Sequence, residues 1–189
     1  MKALLTLAML LVLAGCSTGS GAVSVVNGGE FRFVAGTPAG TAIAVDKRAP
    51  APKFSGKLVG GGNFASSTLG GKVAVLNFWG SWCAPCRVET PQFQQVYAAV
   101  HAQGVDFVGL DVKEPTEAFA LAFMKRFGIS YPSVYDPRGE VALAFRDYPA
   151  NAIPSTIVLD RKQRVAAVYT GTVAERDLRS VLDRVLKEG

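Results

Sequence analysis

The sequence predicts an α/β domain: a central mixed sheet flanked by helices, with an N-terminal hairpin and a central helical insertion. Three observations predict it. Residues 73–79, Val-Ala-Val-Leu-Asn-Phe-Trp, are almost continuously apolar, as a parallel strand buried on both faces requires. A helical pattern follows directly, with Phe93, Val96, Tyr97 and Val100 at helical spacing, and strands then alternate with helices to about residue 146. Finally, two apolar runs at 155–160 and 164–169, joined by Arg161-Lys162-Gln163, read as an antiparallel hairpin ahead of a terminal helix.

In chain order, Met1-Lys2 and the apolar run from Ala3 to Ala14 have the form of a secretory signal, residues 1–15, too short to span a bilayer. The protein is therefore expected to be exported. Leu13-Ala14-Gly15-Cys16 resembles the bacterial lipobox, which implies cleavage before Cys16 and lipidation of its sulfur; a soluble secretory signal beside an incidental cysteine is the alternative. Residues 16–29 are rich in Gly, Ser and small residues, a flexible tether with a reach of about 20 Å. Residues 30–34 and 41–45 flank a Gly/Pro-containing turn and read as a hairpin within an extension over 30–49. Ala49-Pro50-Ala51-Pro52 marks the boundary of the main domain, 50–189.

Within that domain Gly60-Gly61-Gly62 is a flexible turn, and 66–71 could form one helical turn. The expected order is then strand 73–79, helix 85–102, strand 105–111, helix 116–127, a short strand near 133–135 and a helical turn over 139–146, before the hairpin. The last helix places Leu178, Val181, Leu182, Val185 and Leu186 on one stripe, opened by a capping box at Thr172-Val173-Ala174-Glu175.

Composition narrows the function. The net charge is +5, about +4 once the leader and its Lys2 are gone, and the basic residues are scattered without aromatic interleaving. Nucleic-acid binding is not expected, although a weak attraction to anionic lipid is. The length after the tether suits one well-buried domain, expected to be a monomer.

The chemistry lies in Trp82-Cys83-Ala84-Pro85-Cys86. The two thiols stand where strand 73–79 hands over to a helix, so Cys83 falls near a helix N-terminus, where unpaired N–H groups and the helix dipole favour a thiolate. Cys83 is read as the exposed attacking sulfur and Cys86 as the resolving thiol. Pro85 suits the first helical turn and helps hold the sulfurs in bonding geometry. A structural zinc needs about four ligands, and the chain offers only this pair, distant His101 and Cys16, so no metal is expected. A static disulfide would close too small a loop to restrain much of the unfolded chain. A static disulfide stays open in an oxidising compartment, and a redox dithiol, with no other cofactor, is the reading preferred.

The stretch Leu76-Asn77-Phe78-Trp79-Gly80-Ser81-Trp82-Cys83-Ala84-Pro85-Cys86-Arg87-Val88-Glu89-Thr90-Pro91, with Tyr131-Pro132-Ser133, Tyr135-Asp136 and Ile153-Pro154-Ser155-Thr156, resembles the TlpA- and ResA-type thiol–disulfide oxidoreductases of the thioredoxin fold. With the lipobox and the N-terminal extension it is similar to the CcsX-type lipoproteins of cytochrome c maturation. The resemblance implies a cis Pro154 facing the dithiol and an Ile153 whose backbone pairs with an extended substrate, a plain turn proline being the alternative. It also implies that Glu89 handles the proton of Cys86, because Asn77 replaces the buried aspartate of cytosolic thioredoxins and cannot take one up. An ordinary solvated helix glutamate is the alternative. Trp82 is read as a shield over the dithiol or as packing, His101 as a surface histidine, and Phe119, Phe123 and Phe127 as core packing under the inserted helix.

The resemblance implies a membrane-tethered, extracytoplasmic reductase of disulfides in exported proteins. Its implied substrate is apocytochrome c before haem attachment, and its implied donor an integral membrane thiol carrier. A disulfide-forming oxidase uses the same motif at a higher potential. A peroxidase would want Thr where Gly80 stands. A copper or cytochrome assembly module would space its cysteines by three residues and add a histidine.

Overall fold

The computed structural model describes residues 36–148 and 150–188, so the expected leader, the Cys16 site, the tether and the first arm of the expected hairpin lie outside the described residues. The elements are β1 (Ser55–Lys57), β2 (Asn63–Ala65), β3 (Val73–Trp79), α1 (Ala84–Val100), β4 (Val105–Val112), α2 (Glu117–Phe127), β5 (Ser133–Asp136), α3 (Glu140–Ala144), β6 (Ser155–Leu159), β7 (Val165–Thr170) and α4 (Glu175–Leu186). The main sheet runs β5-β4-β3-β6-β7. Strand β4 is parallel to both β3 and β5, whereas β6 is antiparallel to β3 and β7, which is the expected mixed sheet.

All seven residues of β3 are buried because both faces of the sheet are covered. On one face Val73 and Val75 pack with Phe93 and Val96 of α1 and with Leu178 and Val181 of α4. On the other, Leu76 and Phe78 pack with Phe54 and Phe145. Each such side chain contributes about 1.5–3 kcal/mol when fully buried, which is why the strand reads as an uninterrupted apolar run.

Two sequence expectations, the strand over 41–45 and the capping box, are corrected. Residues 41–44 form no strand; the segment runs along the outer edge of β7, with Thr37 N–H donating to Val168 O at 2.6 Å and Ile43 N–H to Ala166 O at 2.7 Å. It thereby covers an edge that would otherwise present unpaired backbone. The Ala-Pro stretch continues beside the β6–β7 hairpin, with Ala49 O accepting from Val165 N–H and Ala51 N–H donating to Gln163 O, both at 2.9 Å. The capping box does not form: α4 has Ala174 at its N-cap and no side-chain cap. Beyond the glycine turn, β1 and β2 form a small antiparallel hairpin that short, glycine-rich strands did not announce. Gly60, Gly61 and Gly62 all have positive φ in its turn.

The edge segment is locked by Arg48, which donates to Asp160 at 3.2 Å, to both oxygens of Glu188 at 2.6 and 2.9 Å, and to Ile43 O at 2.9 Å. Asp160 keeps a second partner in Arg164 at 2.7 Å. Arg48→Ala is therefore expected to cost about 2 kcal/mol, the scale of losing buried hydrogen bonds to charged groups. A denaturant midpoint unchanged at constant slope would refute this.

Candidate active site

Cys83 is the N-cap of α1 and Cys86 lies in its first turn. Their Cα atoms are 5.3 Å apart and their sulfurs are joined as a disulfide. The Cys86 N–H donates to Cys83 Sγ at 3.2 Å, so the first sulfur already receives one of the N–H groups that the helix start leaves free. In the reduced protein that donor and the helix dipole favour a thiolate on Cys83. Pro85, in the same first turn, has no N–H to leave unsatisfied.

The expected exposure of the attacking sulfur is corrected: Cys83 is 3 % exposed and Cys86 1 %. The cause is an apolar collar of Trp79, Ala120 and Phe123, joined by Val59, Phe127 and Ile153. The Trp79 and Phe123 rings stack with centroids 4.6 Å apart. The α2 phenylalanines thus divide. Phe123 and Phe127 line the dithiol cluster rather than a general core, and Phe119 is 55 % exposed. Trp82 is half exposed, its indole N–H donating to Val112 O at 3.2 Å. Its ring lies so close over Gly80 that a Cβ there would come within 2.7 Å of it.

Glu89 is buried on the same face of α1 as Cys86. Its carboxylate accepts from Val173 N–H at 2.8 Å and from Asn77 Nδ2 at 3.2 Å, and Asn77 also approaches Thr156 Oγ1 at 3.4 Å. Burial pushes the Glu89 carboxyl up to about 7, with those two hydrogen bonds opposing the shift. A carboxyl raised this far exchanges its proton near neutrality. The Ile153–Pro154 bond is cis. Ile153 packs against the dithiol cluster, and its backbone takes no hydrogen bond among the described residues.

Sequence reading missed the groups that hold the loop before Cys83. Glu114, buried, accepts from Ser81 N–H at 2.7 Å and from Ser81 Oγ at 2.8 Å. Arg87 donates to Ser81 O through Nε at 3.2 Å and Nη2 at 2.8 Å. Asp111 is fully buried near the end of β4, and burial, reinforced by the charge of Glu114, pushes its carboxyl up to about 9. An acid inside a strand otherwise read as buried was the available signal. His101 caps the far end of α1, half exposed and 3.3 Å from Asp106. Among the described residues no group of three or more His, Cys, Asp or Glu could hold a metal.

Comparison with known proteins matches residues 44–186 to the Redoxin family. The thiol–disulfide oxidoreductase ResA of Geobacillus thermodenitrificans is 32% identical over 145 residues, covering 77% of this chain and 80% of that protein. The ResA of Bacillus subtilis is 34% identical over 132 residues, 70% and 72% of the two chains. Among solved structures, a secreted thiol-disulfide isomerase from Corynebacterium glutamicum aligns with a TM-score of 0.75 at 32% identity, over 85% of this chain and 99% of that one. A DsbF homologue from Corynebacterium diphtheriae aligns with a TM-score of 0.71 at 36% identity, over 78% and 96%.

Proposed function

Because the chain belongs to the Redoxin family and is a thiol–disulfide oxidoreductase of the thioredoxin fold, we propose that it works outside the cytoplasm as a reductase, anchored to the membrane through a lipidated Cys16. Its proposed substrates are disulfides of exported proteins, foremost the Cys-x-x-Cys-His segment of an apocytochrome c, whose thiols must be free before haem attaches. A thiol carrier in the membrane is the proposed electron donor, and the Cys83–Cys86 pair is the only redox group required.

The chemistry follows from the site. The Cys83 thiolate attacks one sulfur of the substrate disulfide, breaking that bond and forming a mixed disulfide. Cys86 gives its proton toward the Glu89 carboxylate and attacks Cys83, releasing the substrate as a dithiol and closing the Cys83–Cys86 disulfide. Two electrons pass from the domain to the substrate, and the membrane donor restores them. Ile153 supports this reading, since its backbone, unpaired among the described residues and beside the dithiol, can add an extended substrate segment as a short strand. With Cys83 only 3 % exposed, an extended segment reaches it more readily than a bulky folded surface.

The observation that carries the reducing direction is the buried acid at Glu89. A carboxylate on the Cys86 face of α1 disfavours further negative charge there and so offsets part of the thiolate stabilisation that the helix start gives Cys83. A stabilised reduced form is what makes a dithiol oxidising. The midpoint potential against thiol buffers tests this: about −270 mV or lower supports the reductase, and a value approaching about −120 mV replaces it with the oxidase.

A further inference from the structure

Four acids, Asp111, Glu114, Glu117 and Asp136, act on one another around the end of β4, and three of them have donors. Glu114 is held by Ser81 N–H and Oγ. Asp136 accepts the N–H groups of Glu140, Val141 and Ala142 at the start of α3. Glu117 accepts Gly60 N–H at 2.8 Å. Asp111 has no exposed surface, and neither of its carboxyl oxygens receives a hydrogen bond from a donor among the described residues.

The charged groups acting on Asp111 come from its own following loop, from β5 and from α2; they are Glu114, Asp136 and Glu117, all acidic. An ionised Asp111 would lose its hydration and gain neither a donor nor a cation, a loss of several kcal/mol that a buried carboxyl avoids by keeping its proton. The neutral acid then needs an acceptor for its O–H, and Glu114, three residues on and the charged group that weighs most on Asp111, is the acceptor at hand. In the β3–β4 ladder Asp111 lies opposite Trp79, whose ring lines the dithiol.

We propose that Asp111 and Glu114 are positioning residues that share one proton and one negative charge, clamping Ser81 and setting the charge that Cys83 faces. The proposal rests on the thiol–disulfide exchange assigned above to Cys83 and Cys86, but not on its direction. With Asp111 neutral the pair sets one negative charge behind the loop, opposing the Cys83 thiolate alongside Glu89 and against the favourable charge of Arg87 on Ser81 O. At alkaline pH, where Asp111 ionises, a second charge appears and the thiolate is opposed again.

The test is the rate of Cys83 alkylation by iodoacetamide between pH 6 and 10 in the full, reduced chain. Asp111→Val leaves the Glu114 charge unshared and is expected to slow alkylation at pH 7 by about threefold, half a unit in the thiol. Asp111→Asn restores an uncharged donor, so it should recover the rate lost in the valine variant while abolishing the alkaline break. Glu114→Gln should accelerate alkylation. Two results overturn the proposal: an Asn variant that is accelerated like Glu114→Gln, which would mean an ionised Asp111, or Val and Gln variants that leave the profile unmoved. If neither Asp111 variant folds, infrared spectra of Glu89→Gln decide. A protonated-carboxyl band persisting at pH 8 supports the pair, and its absence overturns it. Because alkylation needs no substrate protein, failure here is distinguishable from failure of the reductase reading, which the potential reports.

Discussion

Cys86→Ser is expected to accumulate a covalent adduct with its substrate, whereas Cys83→Ser is expected to form none and to lose turnover by about 10³-fold or more, as removal of a nucleophile does. The asymmetry follows from position. Cys83 is the N-cap sulfur that the Cys86 N–H supports, and Cys86 lies one turn inside the helix with 1 % of its surface exposed. Without Cys86 the mixed disulfide has no internal thiol to resolve it, so it persists until an external thiol attacks. Mass spectrometry of the reaction with a disulfide-bonded peptide, quenched by acid, checks both variants. An adduct on Cys83→Ser in place of Cys86→Ser would reverse the roles given to the two sulfurs.

The parts of this molecule that were legible in the sequence are those where one local pattern meets one local cause. Continuous burial made β3 readable, alternation of strand and helix gave the sheet order, and Cys83-Ala84-Pro85-Cys86 behind that strand placed the dithiol at a helix start. Contacts between distant segments were not legible. The edge cover at 37–51 is fixed by hydrogen bonds to β7 and by Arg48 reaching Glu188, more than a hundred residues away. Glu89 was readable as lying on the face of Cys86, but its burial depends on Asn77 and Val173 closing over it. That Val173 N–H also bears on the missing capping box, since Glu89 reaches into the segment where the box was expected. The exposure assumed for Cys83 failed because α2 supplies Ala120 and Phe123 as a collar, which helical spacing alone presents as ordinary core.

Glu89→Gln is expected to change stability and chemistry in opposite directions, and pH separates the two. The folded carboxyl titrates near 7 against an ordinary value of 4.5. Between those values the folded protein keeps a proton that the unfolded chain has released, so unfolding free energy falls as pH rises. The stabilisation is complete below about pH 4.5 and is lost as pH passes through 7, for a total of about 3 kcal/mol. Glutamine cannot ionise, so the variant escapes this loss. At pH 4 it should be about 1 kcal/mol less stable than the parent, because its amide nitrogen faces the Asn77 donor. At pH 8 it should be the more stable of the two. Asp111, raised in the same sense, leaves a residual slope at higher pH in the variant. In the chemistry, the parent at pH 7 has a base for the Cys86 proton and the variant has none, so turnover should fall by about 10²-fold and lose its dependence on a group near 7. The first step should move the other way, because removing a nearby negative charge favours the Cys83 thiolate and speeds its alkylation. Faster alkylation together with slower turnover is a split that loosened packing does not produce. A uniform decline of both across pH would instead reduce Glu89 to a structural hydrogen-bond acceptor.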